Sequence, residues 1–362
     1  MRIEQSLSPG RRARQGRRAH NFVAHNLSNL QNKHKELLFM FITMKYFIIT
    51  LLNLFNIDIW SKFTLFQTEY NRSYSIDEVY DRFIIFKNNV DIINLNNADK
   101  SSTFNMSINK FTDLTAEEFK DGFVGKMYRS SEYGCVGFEN NHSCPIEMFD
   151  WRDYNVVNPV RNQGQCGSCW AFATTANAES VWAIHTGDLY DLSEQYLVDC
   201  ATGVEYMNMG CKGGNMDSAF KFMINNRQCD EVEYPYTSGL TETKSKCHSC
   251  DEITSFSVCY DVMPNNQLDL KAAVLQNPVV IGIEADTYYF QSYSGGIMTS
   301  PLCGTTIDHA VEIVGFGIEN DIKYWTVRNS WGSDWGEDGY FRILRTDSID
   351  DEGICGLAIE PS

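Results

Sequence analysis

Residues 163–172 read Gln163-Gly-Gln-Cys166-Gly-Ser-Cys169-Trp-Ala-Phe172, a glycine-rich turn that runs straight into an apolar helical pattern. No other stretch constrains the fold as tightly. The glycines make 163–167 a tight loop, and Ser168 is placed to cap the helix. The pattern continues to about Ile184 and stops at Gly187. Cys169 therefore falls in the first turn, where unpaired backbone N–H groups and the positive end of the helix dipole favour a thiolate over a thiol. Judged by spacing alone, Cys-x-x-Cys also fits a zinc half-site, a redox pair or two structural cysteines. The zinc reading lacks a second ligand pair at short range, since Cys247-His-Ser-Cys250 lies far downstream. The redox reading lacks a thioredoxin-like βαβ setting. A reactive cysteine remains the better reading.

A helix start supplies only part of the shift a thiolate needs, so an imidazolium partner is required. His309 lies 140 residues downstream, in an apolar strand pattern that ends at Gly315 and Gly317. Asn329 lies 160 residues downstream, before Ser-Trp-Gly332. Each alone reads as an ordinary strand histidine or turn asparagine. Their order after Cys169, each in its own context, makes them candidate partners.

The rest of the chain frames this core. Its 362 residues carry a formal charge of −17, with nine Lys/Arg against two Asp/Glu in residues 1–45. The body beyond is strongly acidic, which excludes nucleic acid and anionic lipid surfaces as partners. Met44 and Lys45 followed by apolar Tyr46–Phe55 read as a signal peptide rather than a membrane span. Twelve cysteines and the sequons at Asn71, Asn105 and Asn141 agree with a secretory route. The seven histidines form no metal-ligand cluster, and no metal or cofactor is expected.

From about Ile76 the pattern turns helical. Glu78, Arg82, Phe86, Asn89, Ile93 and Asn97 fall on one slowly drifting face. Polar residues mixed into that face predict a partner surface rather than an oily core. Asn109, Phe111 and Asp113 precede Thr115 and Glu118, which read as a capping box. Ser130–Ser143 is polar and loop-like, so a domain boundary or proteolytic hinge is expected between about 125 and 145.

From about Ile76 to Ser362 the chain resembles the papain-like cysteine proteases, in their cathepsin L-like branch. The stretch at 163–172, His309, Asn329 and the spaced helix carry the likeness. Asn109, Phe111 and Asp113 match a second propeptide motif whose leading Gly is Ser107 here. The resemblance implies an α+β, two-lobed fold: a mainly helical lobe over about 154–260 bearing Cys169, and a β-barrel-like lobe from about 261 bearing His309 and Asn329. With the signal-peptide reading, the expected organisation is a non-structural extension over 1–43, a signal peptide over 44–60, an inhibitory propeptide over 61–144 and a peptidase domain over 145–362.

By the same resemblance Cys169 is the nucleophile, His309 the acid and base, and Asn329 the group that orients it. Gln163 donates to the oxyanion, and Trp331 shields the His309–Asn329 bond from water. Gly213 and Gly214 offer main-chain pairing to a substrate, and Asp308 adds a backbone contact. Met216, Gly282 and Ile307 line the pocket for the second residue before the cut. Glu360 at its floor suits Arg as well as bulky apolar side chains. A solvated surface Glu360 is the alternative. Only ten residues separate Cys200 from Cys211, none of them His, which favours an endopeptidase over a dipeptide-releasing enzyme.

The resemblance pairs Cys166–Cys211, Cys200–Cys247 and Cys303–Cys355. Cys135, Cys144, Cys229, Cys250 and Cys259 are left over; Cys144–Cys259 and Cys229–Cys250 are candidate pairs that sequence does not decide. Expected partners are protein substrates, the chain's own propeptide and cystatin-like inhibitors, acting on a monomer in a lysosome or vacuole or outside the cell. A transferase using the same thioester and a non-catalytic binding protein stay open as alternatives.

Overall fold

The computed structural model describes residues 33, 39–40, 44, 58–127, 135–140, 145–299 and 303–362. The extension over 1–43, most of the signal segment, the Asn141 sequon and Cys144 lie outside them. The chain divides into two compact units at Arg72/Ser73. In the first, helix α1 spans 58–69, with Phe63 and Phe66 stacked ring on ring at 6.3 Å. Among the described residues no helix is long and apolar enough to cross a membrane. Asn71 and Asn105 are both exposed.

The second unit opens with helix α2 (Val79–Ala98). Its mixed face has the partner that the spacing predicts. Arg82 pairs with Glu118 at 2.8 Å, and Asn89 donates to the carbonyls of Thr112 and Leu114, both at 2.9 Å. Asn97 donates to the Met106 carbonyl at 2.8 Å, on strand β1 (Phe104–Met106). Helix α3 (Ala116–Phe123) carries the full capping box: Thr115 accepts from the Glu118 N–H, and Glu118 accepts from the Thr115 N–H. Two short strands follow, β2 (Lys126–Met127) and β3 (Val136–Gly137).

The peptidase part forms two cores. One surrounds helices α4 (Cys169–Thr186), α5 (Glu194–Cys200) and α6 (Met216–Asn225), packing Trp170, Leu197, Phe222 and Tyr234. The other lies under a seven-stranded sheet. Its strands are β1, β4 (Phe149–Asp150), β9 (Val279–Ile283), β10 (Tyr293–Met298), β11 (His309–Glu319), β12 (Ile322–Arg328) and β13 (Tyr340–Leu344). They run β1-β10-β13-β12-β11-β4, with β9 also on β11. Edge strand β1 joins antiparallel to β10, so the propeptide extends the enzyme's own sheet. These two cores are the expected lobes, and α4 is buried almost all round between neighbours, as a central helix must be.

Among the described residues there are five disulfides: Cys166–Cys211, Cys200–Cys247, Cys303–Cys355, Cys229–Cys250 and Cys135–Cys259. The first three match the pairs that the resemblance implies, and the fourth is one of the two candidates left open. Cys259, however, takes Cys135 and not Cys144. The reason is main-chain pairing: β3 lies parallel to strand β8 (Tyr260–Asp261), which sets Cys135 beside Cys259.

Candidate active site

The turn before α4 is held by main-chain bonds and one buried amide. Gln163 receives the Ser330 hydroxyl at its Oε1, at 2.6 Å, and donates from Nε2 to the Cys166 carbonyl at 2.9 Å. The Gly167 N–H reaches the Cys211 carbonyl at 2.9 Å, beside the Cys166–Cys211 bridge. Ser168 stands at the helix N-cap, but its side chain does not cap; its hydroxyl lies 2.8 Å from that of Tyr236. Competition from a distant phenol overrides the local preference. The helix ends where expected, with Gly187 at φ 86.

Cys169 opens α4 and is fully buried. His309 opens β11, and Asn329 follows β12, its antiparallel neighbour. His309 Nε2 lies 2.8 Å from Asn329 Oδ1, which also accepts the Ser330 N–H at 2.8 Å. An oxygen that accepts from a backbone N–H fixes the amide, so Nε2 must carry the imidazole proton. Nδ1, buried and without a hydrogen-bond partner, is left with a free lone pair. The Trp331 ring stacks on the imidazole at 4.6 Å.

A peptide already occupies this site. The Phe123 carbonyl accepts from Gln163 Nε2 at 3.0 Å and from the Trp331 indole at 3.1 Å. Gly125 donates to the Asp308 carbonyl at 2.9 Å. A Cβ at Gly125 would stand 3.4 Å from the Cys169 sulfur and only 2.8 Å from the Gly167 carbonyl oxygen, so the crossing requires glycine. Next, β2 pairs parallel with strand β5 (Gly213–Gly214), and Gly213, at φ 114, leaves room for the Lys126 carbonyl. Met127 then packs against the cluster of Cys169, Met216, Val280 and Ala310. Phe111 and Phe119 set their rings edge-on to Trp331, Phe123 packs on Phe111, and Lys120 pairs with Asp286 at 2.5 Å.

Burial under this strap sets the charges. It pushes the Cys169 thiol up to about 11 and the His309 imidazole down to about 4, the Asn329 bond opposing only in part. Both groups are therefore neutral while covered. Burial also raises Asp308 to about 7, against the Ala285 N–H that it accepts.

Gly282 abuts Ile307, while Glu360 is half-buried near the C-terminus. Sequence reasoning missed two features here. Ser330 ties Gln163 to Asn329, and the dipeptide Asn-Ser beside Trp331 was the available signal. Phe123–Met127 fills the cleft, and Gly125 between Val124 and Lys126 is the one sequence mark of its close crossing.

The fold and this arrangement define a cysteine protease held as a zymogen by its own N-terminal segment. The papain family cysteine protease profile matches residues 145–362, and the cathepsin propeptide inhibitor domain profile matches 63–119; the chain belongs to the papain family. It is 41% identical over 316 residues to "Thiol protease SEN102" of Hemerocallis sp., covering 84% of this chain and 85% of that protein. It is 40% identical to "Germination-specific cysteine protease 1" of Arabidopsis thaliana, covering 82% and 80% of the two chains. Among solved structures, the recombinant stem bromelain precursor is similar with a TM-score of 0.74 and 37% identity, over 84% of this chain and 97% of that one.

Proposed function

We propose that the chain, once freed of its propeptide, hydrolyses internal peptide bonds through Cys169, His309 and Asn329. The Cys169 thiolate attacks the scissile carbonyl, and imidazolium His309 protonates the leaving amine. His309 then draws a proton from water to hydrolyse the thioester. Gln163 Nε2 and the Cys169 N–H hold the oxyanion, each such donor being worth roughly 10²–10³ in turnover. The observation that carries this reading is the Phe123 carbonyl on the Gln163 amide, a substrate-like group already seated there.

Gly213, Gly214 and Asp308 take the substrate main chain, as they take Lys126–Met127 and Gly125 in the zymogen. Met216, Gly282 and Ile307 form the pocket for the second residue before the cut. Val280 and Ser362 exchange hydrogen bonds at 2.9 Å in both directions, which holds the chain just after Glu360 beside β9. This supports a pocket that takes Arg as well as bulky apolar residues. Exposed Asn71 and Asn105 and the disulfides support a secretory route to a lysosome, vacuole or the exterior. The same open cleft in a monomer suits cystatin-like inhibitors.

The test is hydrolysis of Phe-Arg and Arg-Arg reporters by activated enzyme. Cys169→Ala should abolish both, and Glu360→Ala should remove only Arg-Arg cleavage. Full activity in Cys169→Ala would overturn the mechanism; unchanged Arg-Arg cleavage in Glu360→Ala would overturn the pocket floor alone.

A further inference from the structure

The two family matches leave residues 120–144 assigned to neither domain. Within that gap, 135–140 is bound to the peptidase part through several independent contacts. Cys135 is bridged to Cys259. Its N–H donates to the Asp261 carboxylate at 2.9 Å, the Val136 N–H to the Cys259 carbonyl at 2.9 Å, and the Phe138 N–H to the Asp261 carbonyl at 2.7 Å. The Asn140 amide reaches Asp269 at 3.0 Å. Phe138 packs against the sheet core and walls one side of a cavity of about 570 Å³, shared with Trp182, Phe256 and Tyr260.

We propose that the mature enzyme keeps residues 135–140 as its own N-terminal strand, so that the activating cut falls upstream of Cys135. This moves the boundary expected at 144/145 and rests on the zymogen reading above.

The disulfide decides the matter. A cut after Asn140 would leave the inhibitory segment covalently tied to Cys259. A tether of that length holds its ligand at an effective concentration of order mM, so Phe123–Met127 would rebind as fast as it left. Release would then need a reductant as well as a protease, a second reaction that hydrolysis alone does not provide. A cut upstream of Cys135 separates the strap from the bridge in one hydrolytic step, consuming one water per bond and no reductant. What remains, strand β3 with Phe138 against the sheet core, is already part of the folded enzyme.

The experiment uses the full Cys169→Ala proenzyme, processed at mildly acidic pH by a trace of active wild-type enzyme freed of reductant. Free thiols are alkylated, and the product is analysed by intact mass and by tryptic peptide mapping without reduction. The expected product begins between residues 128 and 135, contains a Cys135–Cys259 linked peptide and keeps the same N-terminus after reduction. A product that begins at residue 136 or later, whether or not a peptide is released on reduction, overturns the proposal. So does a map in which Cys259 is joined to any other cysteine. Failure of Cys169 as nucleophile would register separately, as self-cleavage of the variant without added enzyme.

Discussion

The Phe123 carbonyl oxygen sits 3.0 Å from Gln163 Nε2, so the side chain that would steady a reaction intermediate is engaged by the zymogen's own backbone. Latency here is occupation of the site, with the residues of the site already in place.

Gln163→Ala should therefore lower kcat roughly 10²–10³-fold while leaving KM within about threefold, because the lost donor acts on charge that develops only in the transition state. Steady-state kinetics on a Phe-Arg reporter measures both. A large rise in KM with kcat unchanged would contradict the assignment.

Asn329→Ala should reduce kcat/KM by roughly 10² through loss of imidazole orientation. The Asn329 bond favours the charged imidazole, so its removal lowers the His309 pKa. The alkaline limb of the pH–rate profile should then move to lower pH. A reduced rate with an unmoved limb would mean that Asn329 acts on packing alone.

Gly125→Val should expose the thiol in the uncut proenzyme. A Cβ there meets the Gly167 carbonyl at 2.8 Å and the Gly213 Cα at 3.2 Å, both backbone atoms with no side chain to swing aside. Alkylation of Cys169 by iodoacetamide at neutral pH should rise at least about fivefold over wild type, the overpacking cost expressed as strap opening. Equal rates would show that the strap tolerates a side chain there.

Acid should loosen the strap and spare the enzyme beneath it. Hydrogen bonding from Arg82, aided by the Thr115 N–H, holds the Glu118 carboxyl below its ordinary 4.5. A depressed carboxyl stabilises fully above 4.5 and loses that contribution as pH falls through its folded value. Burial instead pushes Glu179 and Glu312 up to about 7, so their folded forms are favoured at low pH and lose ground as pH rises from 4.5 toward 7. Autoactivation should accelerate below about pH 4.5, while the mature enzyme should melt a few degrees higher at pH 5 than at pH 8 (about 2–4 °C per kcal/mol at this size). Glu118→Gln should activate with a flatter pH dependence; an unchanged profile would assign the acid trigger to another group.

The candidate centre was legible because its parts carry local signatures. A glycine turn entering a helix marks Cys169, and strand patterns mark His309 and the segment before Asn329. The mixed face of α2 was legible too, and Arg82, Asn89 and Asn97 show why its polar residues are there: each grips a backbone or side-chain group of 106–118. The occupant of the cleft was not. Phe123–Met127 binds mainly through its main chain, which every sequence possesses, and so leaves no periodic trace. The Ser168 cap failed because Tyr236, 68 residues away, competes for its hydroxyl. Cys135 was not matched to Cys259 because that choice depends on a strand pairing across 124 residues.

Gly213 accepts a neighbouring strand because it has no side chain, and the Lys126 backbone lies where a Cβ would be. A cleft that reads a partner through such bare backbone asks for several residues of fully extended chain at once. Helices, and strands already paired in their own sheets, cannot present it without first coming apart. The folding stability of a target protein would thus govern its susceptibility alongside its sequence, and surroundings that unfold proteins would widen the enzyme's diet without altering the enzyme.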